Sequence, residues 1–329
     1  MTFQAAGVTL ADVQRPVEAE LDGVTVALRD IVAADFPLIQ EVNGHLLQMK
    51  GKMFRPTLLL LANAASGACD HRAVRLGAVI ELIHLATLVH DDAVDHSSLR
   101  RGMPTVNALF SHQISVIMGD YLYSRAIIEL VRLDDLEPLR VLSRATNEMT
   151  IGEMRQLAQY DALAFQEADY EVTIRSQTAT LLAAACEGGA LRAGRREREA
   201  LREYGDALGM AFQIADDLLD YTGAETVTGK PSGNDLREHK VTLPLIAALP
   251  HLGAAERDEV RSLFAAAKPD DEQVARVVEM VERCGGLGYA RERASHYSAQ
   301  AESALEALPA TPARDALRSA ITYAVERRR

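Results

Sequence analysis

Six aspartates in two triplets are the residues of this sequence best placed to do chemistry. Asp91, Asp92 and Asp95 stand in ELIHLATLVHDDAVDHSSLRRGMPTVN (81–107), and Asp216, Asp217 and Asp220 repeat the DDxxD spacing in FQIADDLLDY (212–221). Both stretches are apolar around the acids, so each reads as a helix buried over most of its surface. At about 100° per residue, the first and last Asp of a triplet stack on one face with the middle one beside them. Carboxylates crowded in this way repel one another and lose hydration, and divalent cations remove both costs. Magnesium fits best, because it takes hard oxygen ligands and usually brings a phosphate with it. Arg100 and Arg101 follow the first triplet and offer fork-shaped donors that suit phosphate. A single triplet reads as an ordinary solvated acidic face. Two, each in an apolar frame, read as facing carboxylate walls.

The elements that must hold these walls are helices. The chain has 329 residues, 48% hydrophobic and 25% charged, rich in Leu, Ala, Glu and Arg and without Trp. Helical periodicity covers Leu10–Val32, Leu38–Met49, the stretch after Pro56, Arg72–Ser98, Ser115–Leu133, Leu136–Leu163, Ala168–Gly188 and Arg195–Tyr221. Shorter helices follow near Leu245–Leu249, Ala254–Ala266, Asp271–Cys284, Leu287–Ala307 and Ala313–Arg327. Between Thr222 and Thr242 lies a polar loop holding Lys230, Asp235 and Lys240, placed where a lid over an anionic ligand would want them. No strand alternation, hairpin or glycine-rich phosphate loop competes. The expected fold is all-α, one large helix bundle around a central cavity, formed by residues 1–329 as a single domain.

Composition also excludes classes. A formal charge of −12 with no basic stripe argues against nucleic acid as partner. Cys69, Cys186 and Cys284 are widely spaced and read as reduced core residues. No run approaches 18 apolar residues and no secretory leader is evident, so no membrane-spanning helix is expected and the cytoplasm is the expected location.

With GKMFRP (51–56), the two aspartate stretches, GDYLYSRA (119–126) and GKPSGNDLREHKVTLPL (229–245) in this order, the chain resembles trans-isoprenyl diphosphate synthases of the polyprenyl type over nearly its full length. The resemblance implies an isoprenoid-synthase helix bundle that joins an allylic diphosphate to isopentenyl diphosphate by ionisation, condensation and proton loss. It implies Mg²⁺, three ions with the bound diphosphate, held by Asp91, Asp92, Asp95, Asp216, Asp217 and Asp220. Lys52, Arg55, His84 and Arg101 match positions that bind isopentenyl diphosphate. Arg100, Lys230 and Lys240 match positions that hold the allylic diphosphate, and Thr178 and Gln213 match polar groups beside the developing carbocation. The chemistry of the residues agrees: diphosphate leaves once its charge is neutralised, and the carbocation left behind needs an apolar site without strong nucleophiles.

One departure stands in RSQTATLL, where the family usually has Lys before the Thr and this chain has Gln177 before Thr178. Glutamine brings no charge, so weaker allylic diphosphate binding is expected. Thr87 lies one turn below Asp91, roughly 6 Å along the axis, with Ala86 beside it. Short-chain members of the family place bulky aromatics there. Here both are small, so a tunnel is expected to continue between this helix and Ser115–Leu133, giving a product longer than farnesyl. The alternatives are a geranylgeranyl diphosphate synthase, a noncatalytic partner subunit of a heteromeric synthase and, more remotely, a terpene cyclase. A homodimer is implied by the resemblance, with transient membrane contact for release of a long product.

Overall fold

Pro16 divides the first expected helix. α1 (Leu10–Gln14), started by a capping box between Thr9 and Asp12, passes through a tight turn at Arg15–Val17 into α2 (Glu18–Ile31). A proline ring offers no N–H and crowds the turn before it, which accounts for the break. α3 (Pro37–Gln48) and α4 (Phe54–Ala65) follow, the latter entered through Met53 at φ 50°. The computed structural model describes residues 7–49, 51–157, 163–222 and 233–326, and 79% of the chain is helical.

α5 (Ala73–Val94) is buried on nearly every side, against α2, α4, α7 (His112–Arg132) and α10 (Thr180–Gly189). It is long and apolar enough to cross a membrane by length and composition alone, which corrects the expectation that no run is apolar enough; in the fold it is a core helix. It stops at Val94 with Asp95 as its cap, earlier than the expected Ser98. A small hairpin follows, β1 (Leu99–Arg100) against β2 (Met103–Pro104). The sequence carries no hairpin signal here, because strands this short show no alternation. Its turn is Arg101 and Gly102, both at positive φ (53° and 77°), the pairing that matches strand twist.

α6 (Val106–Leu109) leads into α7, and α8 (Leu136–Leu157) packs beside it. The expected helix Ala168–Gly188 is in three parts: α9 (Glu167–Ile174), one π-helical turn at Arg175–Ala179, and α10. In the π turn, the Thr180 N–H reaches back to the Arg175 carbonyl, inserting a residue and resetting which side chains face the interior. α11 (Arg195–Thr222) is the spine, touching α10, the π turn, α13 (Leu243–Ala248), α16 (Gly286–Ala304) and α17 (Pro312–Glu326). It approaches closely because a Cβ at Gly205 would lie 2.6 Å from the Leu182 carbonyl oxygen, and one at Gly209 only 2.4 Å from Ala179 Cα. α12 (Asn234–Arg237), α14 (Ala254–Ala265) and α15 (Asp271–Arg283) complete the chain.

Buried hydrophobic side chains form two clusters, and α11 serves both. Leu201, Tyr204 and Leu208 belong to the cluster built mainly by α1–α8, α10 and α17; Met210, Ile214 and Tyr221 belong to the one with α9 and α12–α16. All three cysteines are free. Cys186 is buried, but Cys284 is half-buried and Cys69 exposed, correcting the reading of all three as core.

Candidate active site

A cavity of about 1460 Å³ opens between α5, α8, the π turn and α11. α5 and its cap supply His84, Ala86, Thr87, Asp91 and Asp95 to its wall, and α11 supplies Gln213, Asp216, Asp217 and Asp220. Arg55, Arg100, Gln177, Thr178 and Lys240 line it as well. The two triplets therefore border one space. Burial alone would lower the Lys240 pKa, yet Glu238, Asp235 and Asp95 hold it above the usual value, so this lysine feels the first triplet from across the cavity.

The six acids divide by what holds them. Asp92 is buried and absent from the wall; Arg100 clasps it, Nε at 2.9 and 2.8 Å from its two oxygens. Asp217, also buried, accepts from the Tyr170 hydroxyl at 2.5 Å and from Gln213 Nε2 at 2.9 Å. The carboxylate of Asp220 accepts the backbone N–H groups of Asn234 (3.1 Å) and Asp235 (3.0 Å), closing the start of α12 onto the end of α11. Asp91, Asp95 and Asp216 border the cavity together with Asp217 and Asp220. Burial, then Glu153 and Asp95, push Asp91 up to about 7. Burial and Asp235 push Asp217 up to about 8, against the pull of its two donors. Burial and Asp220 push Asp235 up to about 7. A wall of acids in this condition is short of positive charge. Among the described residues no three His, Cys, Asp or Glu side chains converge into a cage able to hold a metal unaided. The donors are hard oxygens spread over opposite walls, which suits an ion bound by one or two carboxylates with phosphate and water completing its shell.

Below the first triplet lies a cationic cluster. Arg55 and Glu81 are deep, and Arg55 Nε and Glu81 Oε2 make no hydrogen bond among the described residues. Burial brings Arg55 down to about 10, with Glu81 opposing and Arg101 adding to the fall. Burial and the charges of Arg55, Arg101 and Arg100 keep His84 well below its ordinary value, so the ring is neutral. Gly51 leaves room here, since a Cβ would come within 3.1 Å of Glu81 Oε1 and 3.3 Å of Arg101 Nη1. Arg101 and Lys52 lie outside the cavity wall; the Lys52 ammonium is 5.9 Å from the centre of the Tyr323 ring.

Gln177 donates to Glu153 Oε2 (2.8 Å) and Gln156 Oε1 (2.6 Å), and Thr178 Oγ1 donates to Gln213 Oε1 (2.9 Å). Lys240 pairs with Glu238 at 2.7 Å, and Lys230 lies outside the described residues. Past Thr87, whose hydroxyl turns back to the His84 carbonyl at 2.8 Å, the wall takes Tyr123 from α7 and Ser143, Thr146 and Met149 from α8. The space thus runs chiefly along α5 and α8, correcting the expected path between α5 and α7. Tyr123 and Thr146 are hydrogen-bonded there at 3.2 Å.

Glu153, Tyr170 and Glu81 also belong to this site, and the sequence alone does not single them out. Thr146, Thr150, Glu153 and Leu157 follow helical spacing along the cavity side of α8, a stripe that could have exposed Glu153. Tyr170 left no such signal. Eight residues before Thr178, it would face elsewhere on a regular helix, and only the π turn brings both to one network.

Residues 36–281 match the model of the polyprenyl synthetase family. The chain belongs to the polyprenyl synthetase family. Among curated relatives, the all-trans-nonaprenyl-diphosphate synthase (geranyl-diphosphate specific) of Rhodobacter capsulatus is 38% identical over 96% of this chain and 97% of its own. The octaprenyl diphosphate synthase of Escherichia coli K12 is likewise 38% identical, over 94% of this chain and 96% of its own. A crystal structure of polyprenyl synthase from Caulobacter crescentus CB15, complexed with calcium and isoprenyl diphosphate, superposes with TM-score 0.92 at 36% identity, covering 98% of this chain and 99% of that one. This polyprenyl synthetase is a transferase that extends an allylic diphosphate with isopentenyl diphosphate beyond farnesyl length.

Proposed function

We propose that this polyprenyl synthetase makes a long-chain all-trans product, in the range its octaprenyl and nonaprenyl relatives are named for, and that the divalent ion it uses is Mg²⁺. The observation that carries the reading is Asp91, Asp95 and Asp216 turned into one cavity from opposite helices. These three would hold the ions, which when bound supply Lewis-acid neutralisation of the departing diphosphate. Asp92, Asp217 and Asp220 also orient Arg100, Gln213 and α12 around them. Arg100 and Lys240 add fixed positive charge on the allylic side. Arg55, neutral His84, and Arg101 with Lys52 at its rim, form the isopentenyl diphosphate pocket. Arg55 Nε and its neighbours give that pocket donors prepared for an anion. Thr178 and Gln213 face the allylic carbon. Small Ala86 and half-buried Thr87 let the tail pass toward α8.

Purified protein given isopentenyl diphosphate, an allylic starter and Mg²⁺ should yield polyprenyl diphosphates longer than fifteen carbons by chromatography, and EDTA should abolish them. No product from the protein alone would favour the noncatalytic-subunit reading instead. We also propose a cytoplasmic homodimer, supported by Ile117, Ile128 and Val131 exposed along α7; sedimentation at twice the chain mass tests it.

A further inference from the structure

We propose that Tyr170 and Asp217 act as a polarity lock: through Gln213 they force the Thr178 hydroxyl to point its lone pairs into the cavity. The inference rests on the reading of the cavity as the prenyl-transfer site. Each link follows from what its group can donate. The buried Asp217 side chain accepts at Oδ1 from Gln213 Nε2 at 2.9 Å, and at Oδ2 from the Tyr170 hydroxyl at 2.5 Å. The Gln213 amide turns its NH₂ end to Asp217, so its carbonyl faces the other way. There Thr178 lies 2.9 Å away. A carbonyl only accepts, so the single Thr178 hydroxyl proton is spent on it, and what remains on that oxygen is negative. In prenyl transfer the allylic C1–O bond breaks with both electrons leaving on the diphosphate, and an allyl cation remains. An oxygen presenting lone pairs steadies that cation. A reversed Gln213 amide would make Thr178 an acceptor and aim its O–H at the cation instead.

Tyr170 holds the end of the network farthest from the cation. It is buried, sits on α9 rather than α11, and comes into line with Thr178 only because the π turn inserts a residue between them. Without its hydroxyl, Asp217 keeps only Gln213 of these two donors and is free to rotate, and the amide is no longer held one way. Tyr170 is thus a positioning residue, acting through Asp217 and Gln213.

Tyr170→Phe keeps the ring and removes the hydroxyl. Its kcat should fall about tenfold with the KM for each diphosphate within about twofold, the size expected for losing one charge-assisted hydrogen bond. The diagnostic readout uses an allylic diphosphate fluorinated on its double bond, which ionises more slowly because fluorine withdraws charge from the cation. The ratio of normal to fluorinated turnover should widen several-fold in Tyr170→Phe. In a Thr178→Val background, where the hydroxyl is gone, adding Tyr170→Phe should widen it no further. An unchanged ratio in Tyr170→Phe, or equal widening in both backgrounds, overturns the proposal. Should circular dichroism show Tyr170→Phe unfolded, Gln213→Leu breaks the same link, and a normal ratio there overturns it too. Failure of the unaltered enzyme to make product would instead overturn the functional reading.

Discussion

Asp91 sits amid uncompensated negative charge. Its carboxyl is pushed up to about 7 by burial and by Glu153 and Asp95, so it gains from a cation. Asp91→Asn and Asp216→Asn should each lower turnover by about two to three orders of magnitude while leaving the melting temperature within a few degrees, as for loss of one preorganised charge. Turnover within tenfold of the parent in both variants would remove them from the metal site. Gln177 is the second test at this scale. Its amide is bonded to Glu153, the same acid that raises Asp91. Gln177→Lys would neutralise that acid as well as add charge to the allylic side, so the KM for the allylic diphosphate should fall about three- to tenfold. An unchanged KM would mean that the family's usual lysine is not needed in this chain.

Helix contacts decide whether those residues meet. α11 presses on the π turn so closely that Gly209 leaves no room for a Cβ beside Ala179. Gly209→Val should cost about 2–3 kcal/mol, read as a lower urea midpoint, because backbone lies on the other side and cannot yield. We propose that the chain unfolds as one unit, since α11 belongs to both buried clusters; the shifted urea curve should therefore stay a single transition. Far from the site, Asp70 ties three connections together. It bonds Arg72 at the start of α5, and Arg72 and Arg192 both reach Asp135 before α8. Arg72 beside it, helped by Arg192, holds Asp70 down to about 2. Its folded pKa is thus below the unfolded one, so its contribution is present above about pH 4 and is lost as pH falls toward 2. Asp70→Asn should cost about 1 kcal/mol at pH 7 after allowing for partial exposure. The gap between variant and parent in urea melts should close as the pH is lowered through 3. A gap independent of pH would show that the carboxylate charge plays no part.

At the scale of the whole molecule, we propose that the cavity sets product length. Ala86 lies on the wall of α5 one residue before Thr87, on the way from the aspartates toward Tyr123 and Thr146. Ala86→Phe should fill that passage and shorten the main product by several isoprene units, seen by chromatography of the dephosphorylated alcohols. Product of unchanged length would mean that the tail takes another path.

The helices and the two acid triplets were legible in the chain itself. Apolar residues at helical spacing mark buried faces wherever a helix packs, and a repeated DDxxD in an apolar frame has few other uses. Reading the residues alone could also name the substrate charge, because acids and forked cations in one neighbourhood imply a phosphate held through metal. What linear spacing could not supply was which acid turns which way. Asp92 and Arg100 find each other because α5 ends at Asp95 and the hairpin folds back; Asp220 is claimed by α12; Tyr170 reaches Asp217 across a π turn that breaks the 3.6-residue register. Those outcomes depend on hydrogen bonds between segments distant in the chain, whose geometry is set only once the core has packed. The sequence therefore determined the kind of chemistry, and tertiary contact alone decided which donors meet Asp92, Asp217 and Asp220.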